Sequence, residues 1–335
     1  MLNYALRRLL TAVPTVLLIS LIVFALLKAA PGDPLADIPI TIPPEDRAKI
    51  LAALGADQPL IVQYLLWLKQ FLLVEPLHGL DLLFGTHFAD GMQRVISWQT
   101  RSPAFDIIAQ RLPQTLSVVG LAYVVGVLVA LLFGIVSAYK RHSVFDQVGT
   151  FLSMLGLAMP SFFTGVLVIL IFAVNLNWFP SIYNTNLVVN SWSSFLEQLR
   201  QMAMPAMVLA VQTTAYTSRY VRSSMLDNLG QDYVRTARAK GMSEAVVLFV
   251  HVLRNSMIPV VTLIALGIPG IFAGAIVTEQ IFKVNGIGQL LISAIYANDL
   301  PMVQTLFFIF AVLIVTFNLI ADLLYGALDP RIRYD

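Results

Sequence analysis

Apolar residues run through this chain in long blocks, separated by short charged stretches. The first block, Leu9 to Leu27, follows Arg7 and Arg8 and is long enough to cross a bilayer as a helix. Lys28 interrupts the only region where a leader could be cleaved, so a retained first span is expected. Five further blocks lie at roughly Thr115 to Tyr139, Thr150 to Val174, Met202 to Val221, Met257 to Ile281 and Val303 to Tyr325. Together they predict an all-α integral membrane protein with six transmembrane helices.

Between the first and second blocks the pattern changes. Ala30-Pro31-Gly32-Asp33-Pro34 ends the first helix in a turn, and Pro44, Glu45 and Asp46 open a short helix that closes at Gly55. Pro59 to Val74 is apolar but falls short of the roughly 20 residues a span needs. Its Gln63 and Gln70 share a face opposite Ile61, Leu65, Leu68 and Leu72, which predicts a helix lying along the outer surface. The stretch from Thr86 to Pro103 suggests no role: an inert surface insertion and a contact with an outer partner both fit it.

The longest charged, helix-forming stretch between two blocks runs from Asp232 to Pro259. Asp232 opens it as an acidic first-turn residue, and Gly241 stops the helix where a left-handed cap is easiest. A second short helix, Glu244 to Arg254, is expected to follow, giving helix, hinge and helix in water at a membrane face. Such a device can receive a push and pass it to the spans.

Charge gives the orientation. Arg7, Arg8, Lys140, Arg141, Arg219, Arg222, Arg235, Arg238, Lys240, Arg254, Arg331 and Arg333 fall on one side if there are six spans, while the short outer loops hold only Arg200 and Lys283. By the positive-inside rule both termini are cytoplasmic. A chain of 335 residues that is 58% hydrophobic and 12% charged has more apolar surface than one soluble core can bury. Its formal net charge of +2, with no basic run interleaved with aromatics, gives no sign of nucleic acid. The absence of cysteine excludes disulfides, thiolate catalysis and Cys-ligated metal.

Several spans carry polar or helix-breaking residues. Met159-Pro160, Pro269-Gly270 and Pro205 free backbone carbonyls that must find protein or water partners, so these helices are expected to line a cavity; a packing kink is the alternative for each proline alone. Gln212, Thr213, Thr214, Tyr216, Thr217 and Ser218 crowd the fourth span and could hydrogen-bond a peptide backbone or neighbouring helices. Asn318 and Asp322 share a face of the last span. No phosphate-cradling Gly-x-x-x-x-Gly-Lys-Ser/Thr is present, no His-Glu-x-x-His, and no convergent acid, base and nucleophile, so an enzyme is not expected and neither is a metal site. A stand-alone secondary transporter would need a mid-membrane ionisable relay and usually an internal inverted repeat, neither of which the sequence shows, and an intramembrane hydrolase would need a catalytic set that it lacks.

The run Tyr233-Val234-Arg235-Thr236-Ala237-Arg238-Ala239-Lys240-Gly241, followed by His251-Val252-Leu253-Arg254-Asn255, resembles the cytoplasmic coupling loop of ABC importer permeases of the dipeptide/oligopeptide class. In the broader importer signature an acidic residue and two alanines precede the glycine and a Leu-Pro pair follows; here Arg235, Thr236 and Ala237 fill the first part and Leu253-Arg254 replaces Leu-Pro, a variation familiar in the peptide class. The resemblance continues through Ala30–Pro34, Leu54-Gly55, Gln58-Pro59-Leu60, Gln63-Tyr64, Phe84-Gly85, Gly274 to Phe282, Asn285-Gly286-Ile287-Gly288 and Asp322 to Arg331.

The resemblance implies a type I ABC importer permease: residues 1–30 a cytoplasmic head and first transmembrane helix, 31–112 a large extracytoplasmic segment with surface helices, and 113–335 a five-helix core including a coupling loop at 225–256. It implies a multi-pass protein of the bacterial inner membrane, in contact with lipid. Its partners would be a second homologous permease, two ABC ATPases and an extracytoplasmic substrate-binding protein. Cofactors would be absent from this chain, with ATP and magnesium in the partner subunits. Peptides are the implied cargo, although look-alikes carry nickel complexes, opines or small glycans. Coupling would fall to Tyr233, Arg235, Thr236, Ala237, Arg238, Ala239, Lys240, Gly241, His251 and Arg254, with small Ala237 and Ala239 entering an ATPase groove. The path would involve Met159, Pro160, Gln212, Thr213, Tyr216, Pro269 and Gly270. Thr278, Glu279 and Phe282 would form an outer gate or a contact with the partner permease.

Overall fold

The computed structural model describes residues 2–29, 45 and 58–328. The expected turn at Ala30–Pro34, all of the expected helix at 44–55 except Glu45, and the tail from Asp329 onward lie outside the described residues. Helices follow in the order α1 (Leu2–Ala29), α2 (Leu60–Phe84), α3 (Ala104–Tyr139), α4 (Val144–Ala158), α5 (Ser161–Asn175), α6 (Trp192–Leu229), α7 (Asp232–Ala239), α8 (residues 244–282), α9 (Ile287–Tyr296) and α10 (Leu300–Leu328). α1, α2, α3, α10 and residues 244–268 of α8 are long and apolar enough to cross a membrane, and α4 with α5 forms a further candidate span bent by 110°. The chain forms two compact units, one of Met1–Val13, Gln114–Gln289 and Leu313–Asp335, the other of Pro14–Pro113 and Leu290–Val312.

α6 is the axis of the first unit, packing along α4, α5 and α8. Its 38 residues extend about 57 Å, ample for a bilayer, although its polar residues keep it out of the set chosen by apolarity. Burial among other helices accommodates part of this composition: Gln201, Thr217 and Ser218 meet protein instead of lipid. A capping box, in which Ser191 and Ser194 satisfy each other's backbone amides, starts the helix. Close approach also needs small residues. A Cβ at Gly134 of α3 would lie 2.6 Å from Val221 Cβ and 2.8 Å from the Ser218 carbonyl oxygen, so glycine lets α3 press against α6.

Only one of the three expected proline breaks occurs. Met159 and Pro160 are both extended, and the helix stops there completely instead of kinking within one span. Pro205 lies inside uninterrupted α6, and Pro269-Gly270 inside the continuous helix Leu253–Phe282. A proline removes one backbone bond, which a helix packed along its length can tolerate.

In the second unit, α2 departs from expectation twice. It does not end at Val74: a π turn at Gln70–Val74 is followed directly by Glu75–Phe84, with Pro76 placed where a restarting helix has no use for an amide donor. The resulting 25-residue helix is no longer too short to span. Its polar-looking side is also the packed one instead of facing water. Gln63, Trp67, Phe71 and Val74 turn inward, with Trp67 and Phe71 stacking on Phe308 and Trp67 on Phe24, while Ile61, Leu65 and Leu72 point outward. The Tyr64 hydroxyl bonds to Ser20 and to the Leu17 carbonyl of α1. In contact with lipid an aliphatic face belongs outside, and the large aromatic contacts decide which side packs.

The stretch from Thr86 to Pro103 is tied to the helices of its own unit. The Arg94 guanidinium forks onto both Glu75 (2.7 Å) and Asp106 (2.7 Å). The buried Asp299 carboxylate collects the Ser97 hydroxyl and the Trp98 (3.1 Å) and Gln99 (3.2 Å) amides. Burial acts to lower the pKa of Arg94, but its bonds to Asp106 and Glu75 outweigh this and raise it, so the clamp stays charged.

Candidate functional site

The charged stretch between α6 and α8 folds as a closed turn. After Leu229, Gly230 and Gln231 lead straight into α7. α7 ends in a Schellman motif: the Met242 amide bonds the Ala237 carbonyl (3.3 Å), the Gly241 amide bonds the Arg238 carbonyl (2.9 Å), and Gly241 takes φ +74°. A side chain there would be strained, so the expected glycine stop is a conformational requirement. Arg238 then reaches across the turn to Glu244, Nε to Oε1 at 2.8 Å, which raises its pKa further.

One face of α7 is fixed to the membrane helices. Val234 and Ala237 are buried among Ala138, Val221, Met225, Val247 and Val252. Ala237, at 4% exposure, therefore cannot enter a partner's groove; of the two small residues only Ala239 stands on the open face, with Tyr233, Arg235, Thr236 and Lys240. Tyr233 is held by its hydroxyl's bond to Asn228 (2.7 Å). The expected second short helix is instead the start of α8. Glu244 continues through a π turn at Val247–Val252, which carries half-buried His251, and then through exposed Arg254 into the long helix without a break.

At the other end of α8 the structure departs from expectation. Thr278, Glu279 and Phe282 are 0%, 1% and 2% exposed, so none offers a side chain to a gate or a partner surface. Glu279 closes an internal latch: Oε1 accepts from the Thr115 hydroxyl (2.6 Å), and Oε2 from the Gly288 (2.8 Å) and Gln289 (3.0 Å) amides that open α9. Thr115 in turn accepts the Ile287 amide at 2.9 Å. A carboxylate at a helix N-terminus meets unpaired amides and the positive end of the dipole together. A Cβ at Gly286 would collide with the Glu279 carboxylate, and one at Gly288 would lie 2.6 Å from Ile276 Cα, which explains the Gly-x-Gly spacing.

The expected path residues divide. Gln212 and Tyr216 are exposed one turn apart on α6, and the Tyr216 ring packs 5.1 Å from that of Tyr220. Thr213 is half-buried, its hydroxyl directed to the Leu209 carbonyl, and Thr214 bonds the Gly126 carbonyl at 3.0 Å, so these hydroxyls serve helix packing. Met159 and Pro160 sit at the α4–α5 break, and Pro269 and Gly270 are helical. Asp322 pairs with Arg8 at 3.1 Å, a partner that its position on the last helix did not reveal. Sequence reasoning also missed Asp146 and Arg222, whose ion pair joins positions 76 residues apart.

The helices long and apolar enough to cross a membrane, with one basic turn closed between α6 and α8, set the frame in which the family can be read. The chain belongs to the family described as the binding-protein-dependent transport system inner membrane component, whose model matches residues 130–334, and the family's N-terminal model matches 1–119. It is 38% identical to the oligopeptide transport system permease protein AppB of Bacillus subtilis over 99% of each chain. It is 35% identical to the glutathione transport system permease protein GsiC of Salmonella choleraesuis over 100% of each. A solved amino acid ABC transporter shares the fold, with a TM-score of 0.50 at 16% identity over 67% of this chain and 94% of that one. The chain is thus a multi-pass inner-membrane permease subunit of an ABC importer. ATP hydrolysis lies in separate subunits, and ATPase and substrate-binding partners go with the family.

Proposed function

We propose that this chain forms half of a translocation path for di- and oligopeptides, paired with a second homologous permease subunit. Two ATPase subunits, holding ATP and magnesium, drive it through α7, and an extracytoplasmic binding protein delivers the cargo. The observation that carries this reading is the two-sided build of α7: Val234 and Ala237 tie it to the spanning helices, while Tyr233, Arg235, Thr236 and Ala239 remain open beside it. A push on the open face must reach the spans.

Peptide cargo is supported by the relatives, which are named for oligopeptide and glutathione transport, glutathione being itself a small peptide. The path is supported by the exposed stripe Gln212, Tyr216, Arg219 and Tyr220 on α6. An amide, two phenols and a guanidinium suit water, a peptide backbone or a partner subunit, and suit acyl chains poorly.

The test is uptake by vesicles containing the complete transporter. Peptide import should require ATP and all partners, and Ala239→Asp should abolish import while the chain remains in the membrane. Gradient-driven uptake by this chain alone, or normal import by the variant, would overturn the reading.

A further inference from the structure

Asp146, in the first turn of α4, has a carboxylate only 4% exposed that collects donors from three places. Arg222 of α6 donates from Nε (2.6 Å) and Nη2 (2.8 Å), the His142 backbone amide donates at 2.9 Å, and the Ser137 hydroxyl near the end of α3 also donates to it. His142 takes φ +62° to bring its amide round, so the turn between α3 and α4 is shaped about this carboxylate.

A buried ion pair is weak evidence for a stabilising role, because desolvation consumes most of the attraction. α4 and α6 are also joined without it. Gly156 approaches Val211 so closely that an added Cβ would lie 3.0 Å from Cγ1, and the Ser153 and Ser218 hydroxyls are 3.5 Å apart. What the pair adds is position. Arg222 lies about two turns before Leu229, where α6 gives way to α7 through Gly230 and Gln231. Asp146 opens the helix whose far end breaks at Met159–Pro160, where α5 turns away by 110°. The forked contact therefore joins the stem that carries α7 to the helix that leads into the break.

We propose that Asp146 and Arg222 are positioning residues that make the inner end of α6 move as one piece with the α3–α4 turn, so that a displacement of α7 is delivered to the α4–α5 break. A fork held by two bonds transmits rotation as well as translation, which a single contact would not. This rests on the reading of α7 as the coupling element.

The experiment measures peptides imported per ATP hydrolysed by the complete transporter in vesicles, for Asp146→Asn, Arg222→Gln and Arg222→Lys. The ratio should fall about fivefold or more in the first two while hydrolysis continues, as expected when a coupling free energy of ordinary size is lost. Arg222→Lys, which restores the charge, should recover part of it. An unchanged ratio in Asp146→Asn and Arg222→Gln overturns the proposal, as does a parallel loss of import and hydrolysis. Failure of both variants to assemble assigns the pair to folding alone and overturns it equally. Ala239→Asp separates the two readings: if it leaves import intact, the coupling role of α7 fails; if it abolishes import while the ion-pair variants stay coupled, only the present inference fails.

Discussion

Arg238 and Glu244 meet across the left-handed turn at Gly241, with Nε of one 2.8 Å from Oε1 of the other. Both side chains are about half exposed, so the pair guides the turn more than it stabilises it, at roughly 0.2–1 kcal/mol for such contacts. The glycine contributes more. Gly241→Ala puts a Cβ on a left-handed backbone at a cost of about 1–2 kcal/mol, and should loosen the end of α7. Trypsin acting on inside-out vesicles should then cut at Arg235, Arg238 or Lys240 faster than in the parent; equal rates would count against the cap.

Gly288→Ala should be the more damaging of the two latch-glycine substitutions. Its new methyl group would meet the Ile276 backbone (2.6 Å) as well as Glu279 Oε2 (2.9 Å), whereas one at Gly286 would meet the Glu279 carboxylate, which can shift at the loss of its latch bonds. Overpacking of this kind costs about 1–3 kcal/mol. Thermal inactivation in detergent gives the order, and equal midpoints for the two variants would contradict it.

Glu279→Gln exchanges a carboxylate that accepts from Thr115, Gly288 and Gln289 for an amide with one acceptor oxygen. Loss of hydrogen bonds to a charged acceptor should cost about 1.5–3 kcal/mol. Because Thr115 touches the same carboxylate, Thr115→Val and Glu279→Gln combined should cost less than the sum of the two single changes. Strict additivity in a double-mutant cycle would show that the latch is not one unit.

Arg94→Gln leaves the Glu75 carboxylate, 4% exposed, without its cation. Removing one member of a buried pair costs about 3–5 kcal/mol, and here the loss falls on the segment that Arg94 holds. A protease applied to the detergent-solubilised chain should nick residues 86–103 in the variant while sparing the parent. Resistance in both would argue that Asp299 alone secures the segment.

Leu82, Leu83 and Phe84, exposed at 74%, 78% and 74%, should lie against acyl chains with the rest of the outward face of α2. The chain has no cysteine, so Leu65→Cys, Leu72→Cys and Leu83→Cys can be labelled one at a time. Each should resist a membrane-impermeant maleimide and be quenched by spin-labelled lipid. Rapid labelling would return this face to water.

How far the sequence could be read depended on distance along the chain. Gly241 was legible because a helix-forming run, an acidic start and a glycine stop are neighbours. The existence of the apolar helices was equally plain from block length. Their faces were not. In α2 the polar-looking side is the packed one, because Trp67 and Phe71 find Phe24 and Phe308, which no local pattern announces. The resemblance sets Glu279 at an outer gate or partner contact, but the helix it caps begins at Ile287, beyond a turn whose shape depends on two glycines. Asp146 and Arg222 are ordinary charges until the fold joins them. Ala237 and Ala239 are two residues apart and chemically identical, yet helical rotation buries one and exposes the other.

The continuity of α8 has a mechanical consequence. From Glu244, tied to the inner turn, to Glu279, tied to Thr115 and α9, it is a single rod of about 54 Å at 1.5 Å per residue. Its π turn at Val247–Val252 lies near the inner end. A displacement of the inner turn is therefore carried along one uninterrupted helix to the carboxylate that opens α9.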